Sequence, residues 1–266
     1  ILQLFVAPGD AVISTPPTFA MYAFDTPLAH GRVINVPRRD DFSLDVPALE
    51  AAARDSGAKL LFVCSPNNPD GSVIPPETIE RLLALPLVVV LDEAYLEFSG
   101  AESFAPRVPQ TPNLIVLRTF SKWAGLAGLR VGYGIFPAAI IAHLWKIKQP
   151  YNVNVAADAA ARASLADLPA LRANVERLIA ERARLERALA AIPWLRPYPS
   201  RANFVLCRVT GMNAAELRSR LAQEHGILVR HYSTPGLQDC VRISAGTPEQ
   251  VDRLLRALRE IGETYA

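Results

Sequence analysis

Two apolar runs that each end abruptly in polar residues constrain the fold of this chain most strongly. The first is VVVLDEAY at residues 88–95, and the second is IVLRTFSKWAGLAGLRVGYG at residues 115–134. Continuous runs of β-branched and aliphatic residues are typical of parallel strands that are buried on both faces of a sheet. The polar side chains at the ends of these runs, or just beyond them, are Asp92, Tyr95, Ser121, Lys122 and Arg130. We therefore expect a buried sheet that presents reactive side chains along one edge.

Residues 1–150 alternate short apolar runs with helical or loop segments. The predicted strands are DAVISTPP, RVINVPRR, LLFVCSP, LVVVLDEA and NLIVLRTF. Helices are predicted between them for TFAMYAFDTPLAHG, for residues 45–56 and for PETIERLLAL. This alternation predicts the α/β class, with a mostly parallel central sheet and helices on both of its faces. Ligands of such sheets bind at the carboxyl ends of the strands, where the polar side chains named above would meet.

The remaining residues predict a smaller second unit. Residues 171–192 carry leucines at helical spacing, and Pro169 and Pro193 mark the start and the end of a long amphipathic helix. The strands ANFVLCRV, GILVRHY and CVRISAG then alternate with two helices, which predicts a small C-terminal α+β domain. We expect a large domain at residues 1–167, and a linking helix with the small domain at residues 168–266.

Composition excludes several classes of function. The formal net charge is +2 and the basic residues are dispersed, so neither nucleic acid nor a membrane surface is an expected partner. The sequence contains no run of about eighteen apolar residues, so we expect no transmembrane helix. The three cysteines are odd in number and lie in apolar surroundings, which indicates buried thiols in a cytoplasmic protein. The four histidines have no ligand spacing, so we expect no metal site.

Lys122 and Asp92 are the residues on which a chemical interpretation depends. A single lysine is usually a solvated surface charge, and an aspartate after a strand is often a helix cap or a structural acid. Lys122, however, follows an apolar strand, and burial makes an amine nucleophilic because it disfavours the ammonium form. Asp92 at the base of a crevice would need a cationic partner, which a pyridinium N–H supplies. Together with the phenol of Tyr95, these are the groups that a pyridoxal phosphate enzyme requires.

Three other polar residues each allow two interpretations. Asn68 lies in SPNNPDG, which is a plain turn, although its amide would also suit a bond to a cofactor oxygen. Arg130 is either a surface arginine or, with Ser121, a bidentate ligand of a phosphate. Arg242 lies inside an apolar strand, where it pairs either with a substrate anion or with a structural carboxylate. Arg230 ends the preceding strand, and two arginines that converge on one anion would favour a phosphate over a single carboxylate.

Several motifs carry a resemblance that extends over essentially the whole chain. They are PPTFAMY (16–22), VCSPNNPDG (63–71), LDEAYLEF (91–98), LRTFSKWAGLAGLRVGY (117–133), QPYNVN (149–154), RANFVLCR (201–208), GILVRHY (226–232) and VRISAGT (241–247). In these motifs the chain resembles the fold-type I, class I/II pyridoxal phosphate-dependent aminotransferases. Within that family it is most similar to the histidinol-phosphate aminotransferases. The SK and GLR motifs after DEAY are highly specific for the superfamily, whereas QPYNVN and the two arginines point less specifically to the branch.

The resemblance implies a role for each site residue. Lys122 would bind pyridoxal 5'-phosphate covalently and then move a proton between the substrate Cα and the cofactor. The other implied cofactor ligands are Asp92 at the ring nitrogen, Tyr95 and Asn68 at the phenolic oxygen, Ser121 and Arg130 at the phosphate, and Phe19 against the ring face. The implied substrate ligands are Arg242 and Arg230, with Asn203 beside them. The resemblance also implies a homodimer with shared active sites, in which Tyr151 and Asn152 line the neighbouring subunit's site.

The expected function is transamination between histidinol phosphate or imidazole-acetol phosphate and glutamate or 2-oxoglutarate, in histidine biosynthesis. The partners would be a small-molecule amino donor and a 2-oxo acid. The alternatives are an aromatic amino-acid aminotransferase, a phosphothreonine decarboxylase, and a catalytically inert fragment or regulatory module. The family's N-terminal region, with a phosphate-binding loop, is expected to lie ahead of Ile1 and to be absent from this chain. Asp70 stands where the family usually has threonine, a change that a turn should tolerate.

Overall fold

The computed structural model describes residues 1–264, which form nine helices and ten strands apart from short 3₁₀ turns. The helices are α1 (Leu2–Phe5), α2 (Met21–Leu28), α3 (Val46–Ser56), α4 (Pro76–Leu83), α5 (Ala138–Ile147), α6 (Val155–Ala166), α7 (Leu168–Ala190), α8 (Ala214–His225) and α9 (Pro248–Glu263). The strands are β1 (Ala11–Ser14), β2 (Arg32–Asn35), β3 (Leu60–Cys64), β4 (Val88–Asp92), β5 (Leu114–Thr119), β6 (Gly132–Ile135), β7 (Leu195–Pro197), β8 (Phe204–Val209), β9 (Arg230–His231) and β10 (Cys240–Ser244). None of the helices within this span is both long enough and apolar enough to cross a bilayer.

The larger sheet has six strands in the order β2-β1-β3-β4-β5-β6. The first five of these run parallel, and β6 is antiparallel to β5 at the edge. The mostly parallel sheet predicted from the sequence is therefore confirmed, and β6 is a strand that the sequence pattern did not indicate. The chain passes from β1 to β2 on one side and then returns to β3 on the other side of β1. This reversal opens a crevice at the carboxyl ends of β1 and β3.

Both faces of the six-stranded sheet are buried, as its continuous apolar strands require. On β3, Leu61 and Val63 point into a cluster with α3 and α4. The alternate residues Leu60 and Phe62 point to the opposite face and pack with Tyr22 of α2 and with residues of α1 and α5. The period of two along β3 therefore separates two cores, and helices cover both faces of the sheet.

The smaller sheet has four antiparallel strands in the order β7-β8-β10-β9. One face of it packs against α8, α9 and the C-terminal half of α7. The long helix α7 starts at Leu168, three residues before the position expected from the leucine pattern. The reason is that Asp167 accepts a hydrogen bond from the Ala170 amide and caps the helix, which leaves Pro169 in the first turn, where proline is tolerated.

Arg182 and Gly71 are among the residues that connect the smaller sheet with the larger one. Arg182 of α7 is buried, and its guanidinium donates to the carbonyls of Phe98 and Ala202 at 3.1 and 2.9 Å. Gly71, at the end of the turn that follows β3, accepts a hydrogen bond from the Arg201 amide at 2.8 Å. The turn that carries Asn68 is therefore attached to the loop that leads into β8.

Candidate active site

A cavity of about 500 Å³ opens at the carboxyl ends of β3, β4 and β5. All seven side chains that the sequence analysis assigned to cofactor binding line this cavity. They are Phe19, Asn68, Asp92, Tyr95, Ser121, Lys122 and Arg130. They come from four separate loops or strand ends, and the parallel register of the sheet brings them together, because Cys64 lies beside Asp92 and Asp92 lies beside Leu117. In residues 1–264, no group of three or more acidic, histidine or cysteine side chains is placed to hold a metal ion.

Asp92 is the last residue of β4, and both of its carboxylate oxygens accept hydrogen bonds. Oδ2 accepts from the hydroxyl of Tyr22 at 2.6 Å, and Oδ1 accepts from the amide of Ala94 at 3.0 Å. Burial raises the pKa of Asp92, while these two bonds and the charge of Lys122 act in the opposite direction. No salt bridge among the described residues includes this carboxylate. The site therefore holds a buried acid whose own chain gives it neutral donors but no cation in direct contact.

Lys122 lies on the loop between β5 and β6. Its Nζ is 5.6 Å from the centre of the Tyr95 ring. Burial lowers the pKa of Lys122, and the positive charges of Arg242 and Arg130 lower it further, while Asp92 opposes them. The surroundings of this amine therefore shift it toward its neutral, nucleophilic form, compared with an ordinary lysine.

Arg130 ends the short turn Ala127–Leu129 in the left-handed conformation, with φ of 58°. Its guanidinium is exposed and donates to the carbonyl of Ala127 at 2.9 Å. The backbone of the same loop is fixed at its other end, where the Ser121 amide donates to Oγ1 of Thr119 at 3.0 Å. Ser121 and Arg130 therefore line the same side of the cavity from two ends of one short loop.

The aromatic side chains of the site are placed differently from one another. Tyr95 is buried, packs edge-on against Phe204 with 5.1 Å between ring centres, and has a pKa raised above that of an ordinary tyrosine by burial. Phe19 is exposed at the mouth of the cavity and lies edge-on to Tyr22, at 5.5 Å. Phe19 can thus move against a planar ligand, whereas Tyr95 is held by its packing.

A second cavity of about 530 Å³ adjoins the first and shares Phe19 and Asn68 with it. Arg230 and Arg242 line this second cavity. Nη1 of Arg242 donates to Oδ1 of Asn68, so the two cavities meet at this side-chain pair. Asn203 lines neither cavity, and its backbone carbonyl accepts from the Ala245 amide at 2.9 Å.

Tyr22 is a site residue that the sequence reasoning missed. Its ring stacks on Phe62, with 4.8 Å between centres and 15° between planes, and its hydroxyl contacts Asp92. The available signal was its position in PPTFAMY, three residues after Phe19, which places both residues on one side of a helix start. Arg118 was also missed; it lines the first cavity and pairs with Glu97 at 2.7 Å and Glu93 at 3.3 Å.

Comparison with known families identifies the arrangement. The model of the family described as aminotransferase class I and II matches residues 1–258 of the chain. The chain belongs to this family. Membership confirms the resemblance inferred from the motifs, and the two-sheet architecture around the Lys122 cavity is that of the family's fold.

Two relatives with high sequence identity are named as histidinol-phosphate aminotransferases. The chain is 53% identical over 264 residues to a histidinol-phosphate aminotransferase from Roseiflexus castenholzii, covering 98% of this chain and 71% of that protein. It is 51% identical over 260 residues to the chloroplastic histidinol-phosphate aminotransferase of Nicotiana plumbaginifolia, covering 97% of this chain and 63% of that protein. The chain therefore spans less than two thirds of the length of the plant relative.

A solved structure shows the same fold. Histidinol-phosphate aminotransferase from Sinorhizobium meliloti, crystallised in complex with pyridoxal-5'-phosphate, superposes with a TM-score of 0.92 at 33% identity. The superposition covers 100% of this chain and 73% of that one. The expected fold type I architecture is confirmed by this similarity.

Proposed function

We propose that this chain carries the catalytic site of a pyridoxal phosphate-dependent aminotransferase that acts on histidinol phosphate. It would exchange the amino group between histidinol phosphate or imidazole-acetol phosphate and glutamate or 2-oxoglutarate, in histidine biosynthesis. The observation that carries the proposal is a single cavity lined by both a half-buried lysine, Lys122, and the enclosed carboxylate of Asp92. The names of the relatives supply the substrate.

The donor set of the cavity fits pyridoxal phosphate. Asp92 is a buried carboxylate that lacks a cation in direct contact, and the protonated ring nitrogen would be that cation. Tyr95 and Asn68 would hold the phenolic oxygen, Ser121 and Arg130 would hold the phosphate, and Phe19 would cover the ring. When bound, the cofactor supplies an aldehyde for covalent attachment and a cationic ring that withdraws electrons from the substrate Cα.

The chain's own residues move and hold the protons. Burial and two arginine charges lower the pKa of Lys122, which makes its neutral amine more available to accept a proton from the Cα of the donor. Tyr95 has a raised pKa, so its hydroxyl remains protonated and acts as a hydrogen-bond donor. Asp92 stays ionised when a cation binds against it, because the Tyr22 and Ala94 bonds stabilise the carboxylate.

Arg230 and Arg242 would bind the anionic groups of both substrates. They lie directly opposite each other on neighbouring strands and line the cavity beside the cofactor site. A phosphate has enough charge and acceptor oxygens to engage both guanidinium groups. In the other half-reaction the same side chains would bind a carboxylate of glutamate.

The proposal includes a homodimer with shared active sites. Helices α5 and α6, with the segment between them, expose large apolar side chains: Ile141, Trp145, Ile147, Tyr151, Val153 and Val155. Tyr151 is 97% exposed and adopts a φ of 60°, a backbone conformation that is uncommon for residues other than glycine. A second copy of the chain would bury this surface, and Tyr151 would then contact the partner's site. A cytoplasmic location remains a prediction, since the names of the Nicotiana and other plant relatives place those proteins in chloroplasts.

The decisive experiment is borohydride reduction of the chain after addition of pyridoxal phosphate, followed by peptide mapping. We expect one adduct, on Lys122, and none in a Lys122→Ala variant. Adducts spread over surface lysines such as Lys146 would contradict the proposed attachment site.

Donor specificity needs a second assay. The assay measures the glutamate that forms from 2-oxoglutarate, with histidinol phosphate, phenylalanine or phosphothreonine as the amino donor. Preference for histidinol phosphate is expected; preference for phenylalanine, or release of carbon dioxide from phosphothreonine, would establish one of the alternatives.

A further inference from the structure

The two arginines of the second cavity are each placed against an aromatic ring. The guanidinium carbon of Arg242 lies 4.7 Å from the centre of the Phe204 ring, and that of Arg230 lies 5.5 Å from the centre of the Tyr232 ring. None of the salt bridges among residues 1–264 includes either arginine. Each cation is therefore supported by a ring and keeps its full charge for another partner.

The positions of the arginines make such support necessary. Arg230 and Arg242 are directly paired in the register of β9 and β10, and like charges placed directly opposite each other repel. Arg242 is further restrained by its hydrogen bond to Asn68. Arg230 is exposed and lies on a strand of only two residues, so the ring of Tyr232 is the contact that restrains it.

Tyr232 is itself well anchored. It follows Arg230 by two positions, which places both side chains on one face of the chain as it leaves β9. Its ring packs against the buried cluster that contains Phe42, Leu237 and Cys240. Burial raises the pKa of its hydroxyl, and the charges of Arg242 and Arg230 both oppose that shift. Tyr232 also lines the second cavity, so it lies near both arginines at the anion site.

We infer that Tyr232 is a positioning residue that determines preference for doubly charged substrates, by holding Arg230 beside Arg242 without neutralising it. The inference deepens the proposed function and rests on its assignment of Arg230 and Arg242 to anion binding. With Tyr232 in place, two guanidinium groups face one phosphate. Without the ring, repulsion moves Arg230 away, and Arg242 alone remains, which suffices for a carboxylate.

The test compares how two anions, inorganic phosphate and acetate, bind to the full chain in a calorimeter. The chain is first loaded with pyridoxal phosphate, and unbound cofactor is removed. The cofactor phosphate then occupies the site at Ser121 and Arg130, so the titrated anions cannot bind there. The same titrations are repeated without cofactor in an Arg130→Ala background, so the result does not depend on cofactor retention. The variants are Tyr232→Leu, which removes the ring, and Tyr232→Phe, which removes only the hydroxyl.

We expect Tyr232→Leu to weaken phosphate binding by about 2- to 5-fold, the range of a cation–π contact at an exposed site, and to leave acetate binding unchanged. Tyr232→Phe should bind both anions as the parent does. In an Arg230→Gln background, Tyr232→Leu should cause no further loss of phosphate affinity, because the ring acts through that arginine.

Three results would overturn the inference. The first is an unchanged phosphate affinity in Tyr232→Leu. The second is an equal loss of affinity for phosphate and for acetate in that variant. The third is a loss of phosphate affinity in Tyr232→Phe as large as in Tyr232→Leu. A failure of the proposed function is separate, because it would appear as absent transamination in the parent chain while the anion titrations still report on Tyr232.

Discussion

The hydroxyl of Tyr22 lies 2.6 Å from Oδ2 of Asp92, although the two residues are 70 positions apart in the sequence. The phenol reaches the acid from α2, across the carboxyl end of β3, with its ring stacked on Phe62. It also contacts Phe19 edge-on, so one side chain connects the expected ring platform with the expected ring-nitrogen partner. The orientation of the Asp92 carboxylate is therefore fixed before any ligand binds.

Removing this hydroxyl should weaken cofactor binding. Tyr22→Phe keeps the ring on Phe62 and deletes the donor to Asp92, so the pKa of Asp92 should rise further and the ionised form become less available. A hydrogen bond to a charged group contributes about 1.5 kcal/mol or more, and we expect the Kd of pyridoxal phosphate to increase by about 10-fold. A titration followed by the fluorescence of the cofactor measures this Kd. An unchanged Kd would show that the bond to the Ala94 amide alone orients Asp92.

The reactivity of Lys122 should depend on its two arginine neighbours. Burial and the charges of Arg242 and Arg130 lower its pKa, so its amine becomes neutral at lower pH than an ordinary lysine. In Arg130→Gln one positive charge is lost, the ammonium form is less disfavoured, and the pKa of Lys122 rises. The midpoint of its labelling by formaldehyde and cyanoborohydride, followed by peptide mapping without cofactor, should therefore move to higher pH. Arg107→Gln, which breaks the surface pair with Glu80, is the matched control and should not move it.

Gly71 should tolerate alanine less well than another glycine of similar conformation. Gly71 and Gly100 have φ of +80° and +72°, but a Cβ at Gly71 would meet the Ser200 side chain, whereas nothing lies within 4 Å of one at Gly100. We expect Gly100→Ala to lower the free energy of unfolding by about 1 kcal/mol and Gly71→Ala by about 2–5 kcal/mol. Urea denaturation measures both. Equal losses would mean that the loop at Ser200 adjusts freely.

Arg182 should contribute strongly to stability although it does not line the cavity. Replacing it with methionine keeps most of the apolar stem and removes both donors to the carbonyls of Phe98 and Ala202. The unpaired carbonyls should lower the free energy of unfolding by about 2–3 kcal/mol, because removal of a buried charge offsets part of the loss. Arg187→Met, on an exposed position of the same helix, should have little effect. If both variants unfold at the same urea concentration, Arg182 does not hold the two sheets together.

The parallel strands could be predicted from the sequence because nearly all of their side chains are apolar and must be buried. Continuous apolar runs such as Leu60–Cys64 must be buried on both faces, and the helices between them follow from that requirement. The edge strand β6 escaped prediction because its sequence GYGI contains Gly132 and Gly134, which lack side chains to form a pattern. At Gly134 the ring of Phe136 occupies the space that a Cβ would take, a contact that no local pattern reveals.

The site was predictable where its residues follow strands directly, and less so elsewhere. Asp92 and Lys122 end two apolar runs, so topology alone brings them to one edge of the sheet. Tyr22 reaches the site through a contact between distant segments, and Tyr232 through packing on Phe42 and Leu237. Such contacts depend on the tertiary arrangement and leave no periodic signal in the chain.

Every residue that lines the first cavity comes from the six-stranded sheet and its loops, whereas both arginines of the proposed anion site come from the four-stranded sheet. The spacing between Asp92 and Lys122 is set by the ladder of β4 and β5, to which β9 contributes nothing. Substitutions in β9 and the few residues after it can therefore alter which molecule is accepted while the reactive groups keep their geometry. Such a division lets descendants of one chain exchange substrates step by step without first losing their chemistry.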